Sequence, residues 1–193
     1  MLRLSCLLTV LLCLSAAPGA QADDLPATFQ PGPDTPLDLG RHAGRWYVVG
    51  RIPHPAERGH VGSHSDYIPQ GDGNVRIVYR FRAHLDAPEE QRELRSSASP
   101  STGFRRWRTW HFGVLPGRSE VLEVERDYRW ALVATPGRSM AWILSRDPAM
   151  EATTYRALLE RLAGHGVPTD RMRRVVHLDG QRGQLGFETP PTR

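Results

Sequence analysis

Between Arg45 and Arg146 apolar side chains recur at every second position, in short runs separated by Gly, Pro, Asp and Asn. That period belongs to half-buried strands joined by turns. The first run, Trp46 to Ile52, stops at Pro53, and the second covers about His60 to Ile68. Val75 to Arg82 alternates most cleanly, with Val75, Ile77, Tyr79 and Phe81 on one face and Arg76, Arg80 and Arg82 on the other. A weak run, Arg92 to Ala98, precedes Arg105 to Val114, which carries Trp107, Trp110 and Phe112. Glu120 to Glu125, Arg129 to Thr135 and Met140 to Arg146 bring the strands to eight. Gly71-Asp72-Gly73-Asn74, Pro116-Gly117 and Pro136-Gly137 are the expected turns, because these residues accept turn geometry cheaply.

The period then changes. Tyr155, Leu158, Leu159 and Leu162 recur at helical spacing, Gly164 and Gly166 mark a stop, and Asp147-Pro148 suits a helix start. Leu37 to Ala43 predicts a short helical turn with Asp38 near its beginning, and Met172 to Leu178 a short closing strand. Residues 23–36 read as an extended arm and 179–193 as a loose Gly- and Pro-rich tail, leaving 37–178 as one domain. Eight meandering strands must bury their apolar faces and hide their edges, and closure into a barrel does both. The expected fold is therefore all-β: an eight-stranded antiparallel up-and-down barrel with one C-terminal helix packed outside. An interior of that size is either filled by side chains or holds one small ligand.

The N-terminus carries the marks of export. Arg3 precedes the apolar stretch Leu4 to Leu14, and Ala20-Gln21-Ala22 gives a small-x-small cleavage pattern, so residues 1–22 read as a signal peptide cut after Ala22. The stretch is short for a membrane span. Cys13, behind Val10-Leu11-Leu12, fits a lipid-attachment box poorly. A periplasmic or secreted protein without a lipid anchor is expected.

Composition narrows the chemistry. Both cysteines, Cys6 and Cys13, fall in the signal, which removes disulfides, thiolate metal sites and a cysteine nucleophile from the mature chain. All 25 basic residues are arginine, so lysine chemistry is excluded as well. The formal net charge of +4 is small, and acids are mixed among the arginines, which argues against a nucleic-acid surface. In Arg105-Arg106-Trp107-Arg108 the alternation puts Arg106 and Arg108 on one solvated face; such arginines also suit a peripheral contact with anionic lipid headgroups. His54, His60 and His64 lack zinc spacing for an extended segment. Ser63, Ser65, Asp66 and His64 hold the letters of a triad, but neighbours on a strand point to opposite faces. No nucleophile elbow, phosphate loop or dinucleotide motif is present, and no cofactor or metal is implied.

Three separated motifs carry a family resemblance: Gly44-Arg45-Trp46-Tyr47, then Asp127-Tyr128 followed by Arg129 to Val133, and Trp142-Ile143-Leu144-Ser145-Arg146. With Arg51-Ile52-Pro53 and Glu57-Arg58-Gly59, the sequence resembles the lipocalin family, most closely its bacterial, apolipoprotein D-like branch. Members of that branch are often lipid-anchored to the outer membrane, and the second motif commonly begins with Thr where this chain has Arg126. The resemblance implies that Trp46 sits at the closed barrel end with Arg146 across it. Gly44, Asp127 and Tyr128 complete the structural motif. With Trp46 inward and a period of two, Val48 and Gly50 point inside, as do Ile77, Tyr79 and Phe81, then Leu132 and Ala134, then Trp142 and Leu144. The family register adds Trp107, Thr109 and His111. From this set Val48, Gly50, Ile77, Tyr79, Phe81, Trp107, Thr109, His111, Leu132 and Trp142 are the candidate ligand contacts, against the alternative that they simply fill the barrel. Glu123 is ambiguous: local alternation sends it outward, the family register inward. The resemblance implies a non-enzymatic carrier of a small hydrophobic ligand, a fatty acid or lysophospholipid, acting as monomer or homodimer. Two alternatives remain: an enzyme using Tyr79, His111 and Glu123, and an interaction module working through the barrel mouth.

Overall fold

The computed structural model describes residues 35–111 and 114–189. The signal sequence, its cleavage site, the lipid-box reading and nearly all of the arm lie outside the described residues. No helix among the described residues is long and apolar enough to cross a membrane.

Eight antiparallel strands follow the predicted meander: β1 (Gly44–Arg51), β2 (Val61–Gly71), β3 (Asn74–Arg82), β4 (Glu90–Ala98), β5 (Arg106–His111), β6 (Leu115–Val124), β7 (Trp130–Ala134) and β8 (Ala141–Ser145). Each pairs with its successor, and β8 pairs with β1, which also pairs with β2, so the sheet closes on itself. The two ends of β1 have different neighbours. Gly44 to Tyr47 lie against β2, whereas Gly50 and Arg51 pair with a two-residue strand, β9 (Arg173–Arg174). The chain after β9 stays wedged there, with Gly62 N donating to Val176 O at 2.8 Å. The expected closing strand over 172–178 is thus reduced to a short stitch. Strand β4, weak in the sequence, forms in full and begins at Glu90.

A four-residue helix, α1 (Leu39–His42), is capped by Asp38, whose Oδ1 accepts from Arg41 N at 3.0 Å. The longer α2 (Ala152–Gly164) lies outside the barrel and buries Tyr155, Leu158 and Leu162. They pack on Val49, Ile52, Trp130, Leu132, Ala134 and Ile143, and each fully buried leucine contributes roughly 2 kcal/mol. Asp147 does not cap this helix. Its Oδ1 accepts from Ala149 N at 2.8 Å and closes a local turn, so α2 starts later than expected, behind Glu151.

Three further expectations change. Pro116 and Gly117 lie inside β6, opposite Trp110 and Thr109, and the chain reverses earlier, between His111 and Leu115. The register of β1 shifts between Val48 and Gly50, and this bulge breaks the period of two. Gly50 faces α2, where an added Cβ would lie 2.7 Å from Tyr155 Cε2, so only glycine lets the helix approach. On β7 the phase is one residue off. Trp130, Leu132 and Ala134 pack outward under α2, while Ala131 and Val133 join the interior cluster. Both faces of that strand are buried, and alternation carries no phase where neither side meets water.

The segment after residue 178 is held along 179–189. Phe187 bridges to Arg174, Glu188 N donates to Arg174 O at 2.7 Å, and Glu188 reaches the barrel itself. A loose tail from residue 179 is not what these contacts describe.

Candidate functional site

The floor is built first. Gly44 opens β1 with a positive φ of 89°, which sets Trp46 inward, and Trp46 Nε1 donates to His42 O at 2.7 Å. The Arg146 guanidinium lies 3.8 Å above the Trp46 ring. Its nitrogens donate to Arg45 O (2.6 Å), Arg41 O (2.8 Å), Ala43 O (2.9 Å) and Tyr128 O (3.2 Å). One side chain thereby satisfies carbonyls from the chain's entry into the barrel and from the turn between β6 and β7. Tyr128, in a left-handed turn, accepts from Asp38 N through its hydroxyl at 2.9 Å. Asp127 beside it is exposed and 4.0 Å from Arg41. His42 is sandwiched among Trp46, Tyr67 and Trp107, and burial, with the charge of Arg146, lowers its pKa to about 3. A neutral aromatic plug seals this end.

Above the plug lies a cavity of about 570 Å³ that opens at the opposite end. Val48, Tyr67, Ile77, Leu94 and Leu144 form its lower wall, and Val133 and Trp142 continue it upward. Polar groups are few. Thr109 is bonded to Ser96 Oγ at 2.8 Å, and Tyr79 donates to Ser63 Oγ at 3.3 Å with His60 Nδ1 at 3.1 Å. Burial pushes the Tyr79 phenol up, away from ionisation. At the rim stand His111, Leu115 and the loop that joins β1 to β2, which brings His54 and Glu57 over the opening.

Charge at this rim is arranged in a chain. Arg51, fully buried, donates through Nε and Nη2 to Glu188 Oε2 at 3.0 and 2.8 Å, and through Nη2 to His60 O at 2.9 Å. Glu188 Oε1 accepts from Gly59 N at 2.6 Å. Glu57 Oε2 accepts from Trp142 Nε1 at 3.0 Å and lies 3.3 Å from His54 and 3.9 Å from Arg51. Burial pushes its pKa up, but His54, Arg51 and Trp142 more than offset this and hold it below the ordinary range.

Of the ten candidate contacts, Val48, Ile77, Tyr79, Thr109, His111 and Trp142 line the cavity. Four do not. Gly50 and Leu132 face α2, for the bulge and phase reasons above. Trp107 belongs to the plug, with Nε1 donating to Phe104 O at 2.9 Å. Phe81 lies behind the wall, stacked on His60 at 3.7 Å with Arg92 4.7 Å from its ring. Glu123 faces outward and binds α2, accepting from Arg161 Nε at 2.6 Å with His165 Nε2 at 2.7 Å. His54 and His60 reach the mouth, whereas His64 packs on Tyr47, and no cluster of three metal-ligating side chains occurs among the described residues. The pattern reading missed Tyr67, Leu94 and Val133 as wall residues and Glu57 at the rim, where His54 stands as a mouth residue. Tyr67 and Leu94 occupy inward phases that the strand periods already contained. Nothing local shows that the loop folds over the mouth.

A closed antiparallel barrel with a sealed floor, an apolar hollow and one open end is a calyx, which places the molecule among the calycins. A family model described as a lipocalin-like domain matches residues 37–177. The outer membrane lipoprotein Blc of Vibrio cholerae serotype O1 is 27% identical over 153 residues, covering 77% of this chain and 86% of that one. Blc of Escherichia coli K12 is 28% identical over 123 residues, or 64% and 70% of the two chains. Among solved structures, insecticyanin from the tobacco hornworm Manduca sexta superposes with a TM-score of 0.60 at 18% identity, over 77% of this chain and 85% of that one. The chain belongs to the lipocalin family.

Proposed function

We propose that the chain binds and carries or stores a small, largely apolar molecule in the cell envelope, a single-chain lipid such as a fatty acid or lysophospholipid. The observation that carries the reading is the hollow itself. At about 570 Å³ it falls inside the roughly 300–1,000 Å³ range of small-molecule sites, and its wall is mostly apolar with few fixed polar atoms. Burying about 300 Å² of apolar ligand would contribute roughly 7 kcal/mol before binding costs, so micromolar affinity, roughly 8 kcal/mol net, also needs a longer buried chain or contacts of the polar head at the rim. The tail end points to the plug and the polar end to the rim, where Arg92 and His111 stand. The buried Arg51 offers an acid head no free charge, since it is already matched by Glu188.

Carriage is favoured over catalysis by one placement. Of the trio that could do acid–base work, Glu123 is tied to α2 outside the barrel, and the Tyr79 hydroxyl is engaged by Ser63 and His60. The test is a titration of delipidated protein with oleate and with a lysophospholipid, following tryptophan emission, because Trp142 is in the wall. Saturable one-to-one quenching at micromolar ligand is expected, and Val133→Trp, which fills the hollow, abolishes it. Absence of saturable binding to fatty acids, lysolipids, retinoids and haem would overturn the proposal, and turnover of a bound lipid would make the protein an enzyme.

A further inference from the structure

The outer wall formed by β3 to β6 is rich in arginine, and most of these side chains are matched. Arg76 faces Glu93, Arg80 and Arg82 share Glu89, and Arg106 faces Glu120. Three are not. Arg95, Arg108 and Arg118 have no carboxylate partner among the described residues.

Register brings the three together. Arg108 is paired directly opposite Arg118, and Arg95 directly opposite Trp110. Their strand neighbours Thr109, Gly117 and Leu94 line the cavity, so the pleat sends Arg95, Arg108 and Trp110 outward; Arg118, which borders the cavity as well, is exposed beside Arg108. Like charges placed opposite one another destabilise a sheet, which makes an unmatched arginine pair costly unless an external anion meets it. An open groove on the same wall is lined by Arg76, Arg95 and Trp110.

The same two strands end at the mouth. There Val114 is 79% exposed and Leu115 64% exposed, two of the four exposed large apolar side chains among the described residues. Leu115 is also part of the cavity rim. Apolar side chains at a tip, a half-buried tryptophan behind them and unmatched arginines behind that form the order of chemistry met on crossing from an acyl layer to anionic headgroups.

We propose that this wall and hairpin end are a docking surface for an anionic lipid bilayer, with the barrel mouth turned towards the membrane. Val114 and Leu115 enter the acyl boundary, Trp110 lies at headgroup level, and Arg95, Arg108 and Arg118 meet lipid phosphates. Docking in this pose brings the rim against the bilayer, so a ligand crosses between them without passing through water. That consequence rests on the carrier reading; the docking itself does not.

The test is co-flotation of the purified protein with vesicles, phosphatidylglycerol mixed with phosphatidylcholine against phosphatidylcholine alone. Each basic side chain near an anionic surface multiplies partitioning by about five, so Arg95→Gln, Arg108→Gln and Arg118→Gln together lower it about a hundredfold. Val114→Ser with Leu115→Ser lowers it about tenfold. Arg76→Gln, a matched arginine, changes it less than about twofold. Every protein keeps the same N-terminus, so any contribution from it cancels in the ratios. About 1 M salt should release the wild type from the anionic vesicles. Equal partitioning to both vesicle types, an unchanged triple variant, or a triple variant that only dissociates a dimer would each overturn the proposal. Oleate titration in solution separates the two claims: normal oleate binding by a triple variant that has lost flotation supports docking, and a wild type that floats without binding oleate sinks the carrier reading alone.

Discussion

Arg51 is a charge at the mouth end of β1 with no exposed surface, and its main counter-charge, Glu188, arrives from 137 residues further along the chain. Glu188→Ala would leave the guanidinium with His60 O at 2.9 Å, Ser63 Oγ at 3.5 Å and the more distant Glu57 at 3.9 Å. Breaking a buried pair from one side costs about 3–5 kcal/mol. Glu57 offsets part of that, so about 3 kcal/mol is expected. For a urea slope of about 2 kcal/mol per molar, the unfolding midpoint falls by about 1.5 M. Removing both partners in Arg51→Met/Glu188→Ala eliminates the unpaired charge and recovers most of the loss, so the double-mutant cycle should show coupling of about 2 kcal/mol. Truncation after Phe187 should match Glu188→Ala. A Glu188→Ala midpoint within about 0.2 M of wild type would refute the reasoning and return the tail to a loose appendage.

Arg146→Lys keeps the charge but loses the fork that reaches four carbonyls, and should cost about 2–3 kcal/mol in chemical denaturation; a change below about 0.5 kcal/mol would contradict the floor. Gly50→Ala should cost about 1–3 kcal/mol through contact with Tyr155, and Tyr155→Leu in the same chain should relieve it. Acid sensitivity follows from His42, held neutral with a pKa of about 3, and from His177, lowered to about 4 mainly by burial. The unfolded chain protonates these rings near pH 6.5 and the folded chain does not, so stability falls as pH drops from about 6.5 towards the folded values. Each ring adds about 1.4 kcal/mol per pH unit to that slope, and His42→Phe should remove one ring's share.

What could be read from the chain follows the distribution of water around it. On β3 one side faces solvent and the other the barrel interior, and the alternation of Val75 to Phe81 gave the strand directly, with Ile77 and Tyr79 on the hollow and Phe81 behind its wall. On β1 and β7 the outer side lies under α2 and the returning chain. There Val49, Leu132 and Ala134 are as apolar as their inward neighbours, and the phase was lost. A bulge such as the one between Val48 and Gly50 adds one residue, and no periodic template detects it. The floor was legible because Trp46 and Arg146 carry chemistry as well as spacing. The acid at the rim was not, because Glu57 lies in a loop and its position depends on Trp142 and Arg51, the first of them far away in sequence. Arg51 itself held a usable signal: a charge in the first strand's run had to find an acid somewhere.

The central claim is that an acyl chain lies in the hollow with its end on the aromatic plug, and depth-resolved photolabelling tests it most directly. A fatty acid carrying a diazirine at its terminal carbon, irradiated in complex with the protein and mapped by peptide mass spectrometry, should mark Tyr67, Ile77 or Leu144. Labels confined to the outer surface, on α2 or on the arginine wall of β4 to β6, would contradict the account.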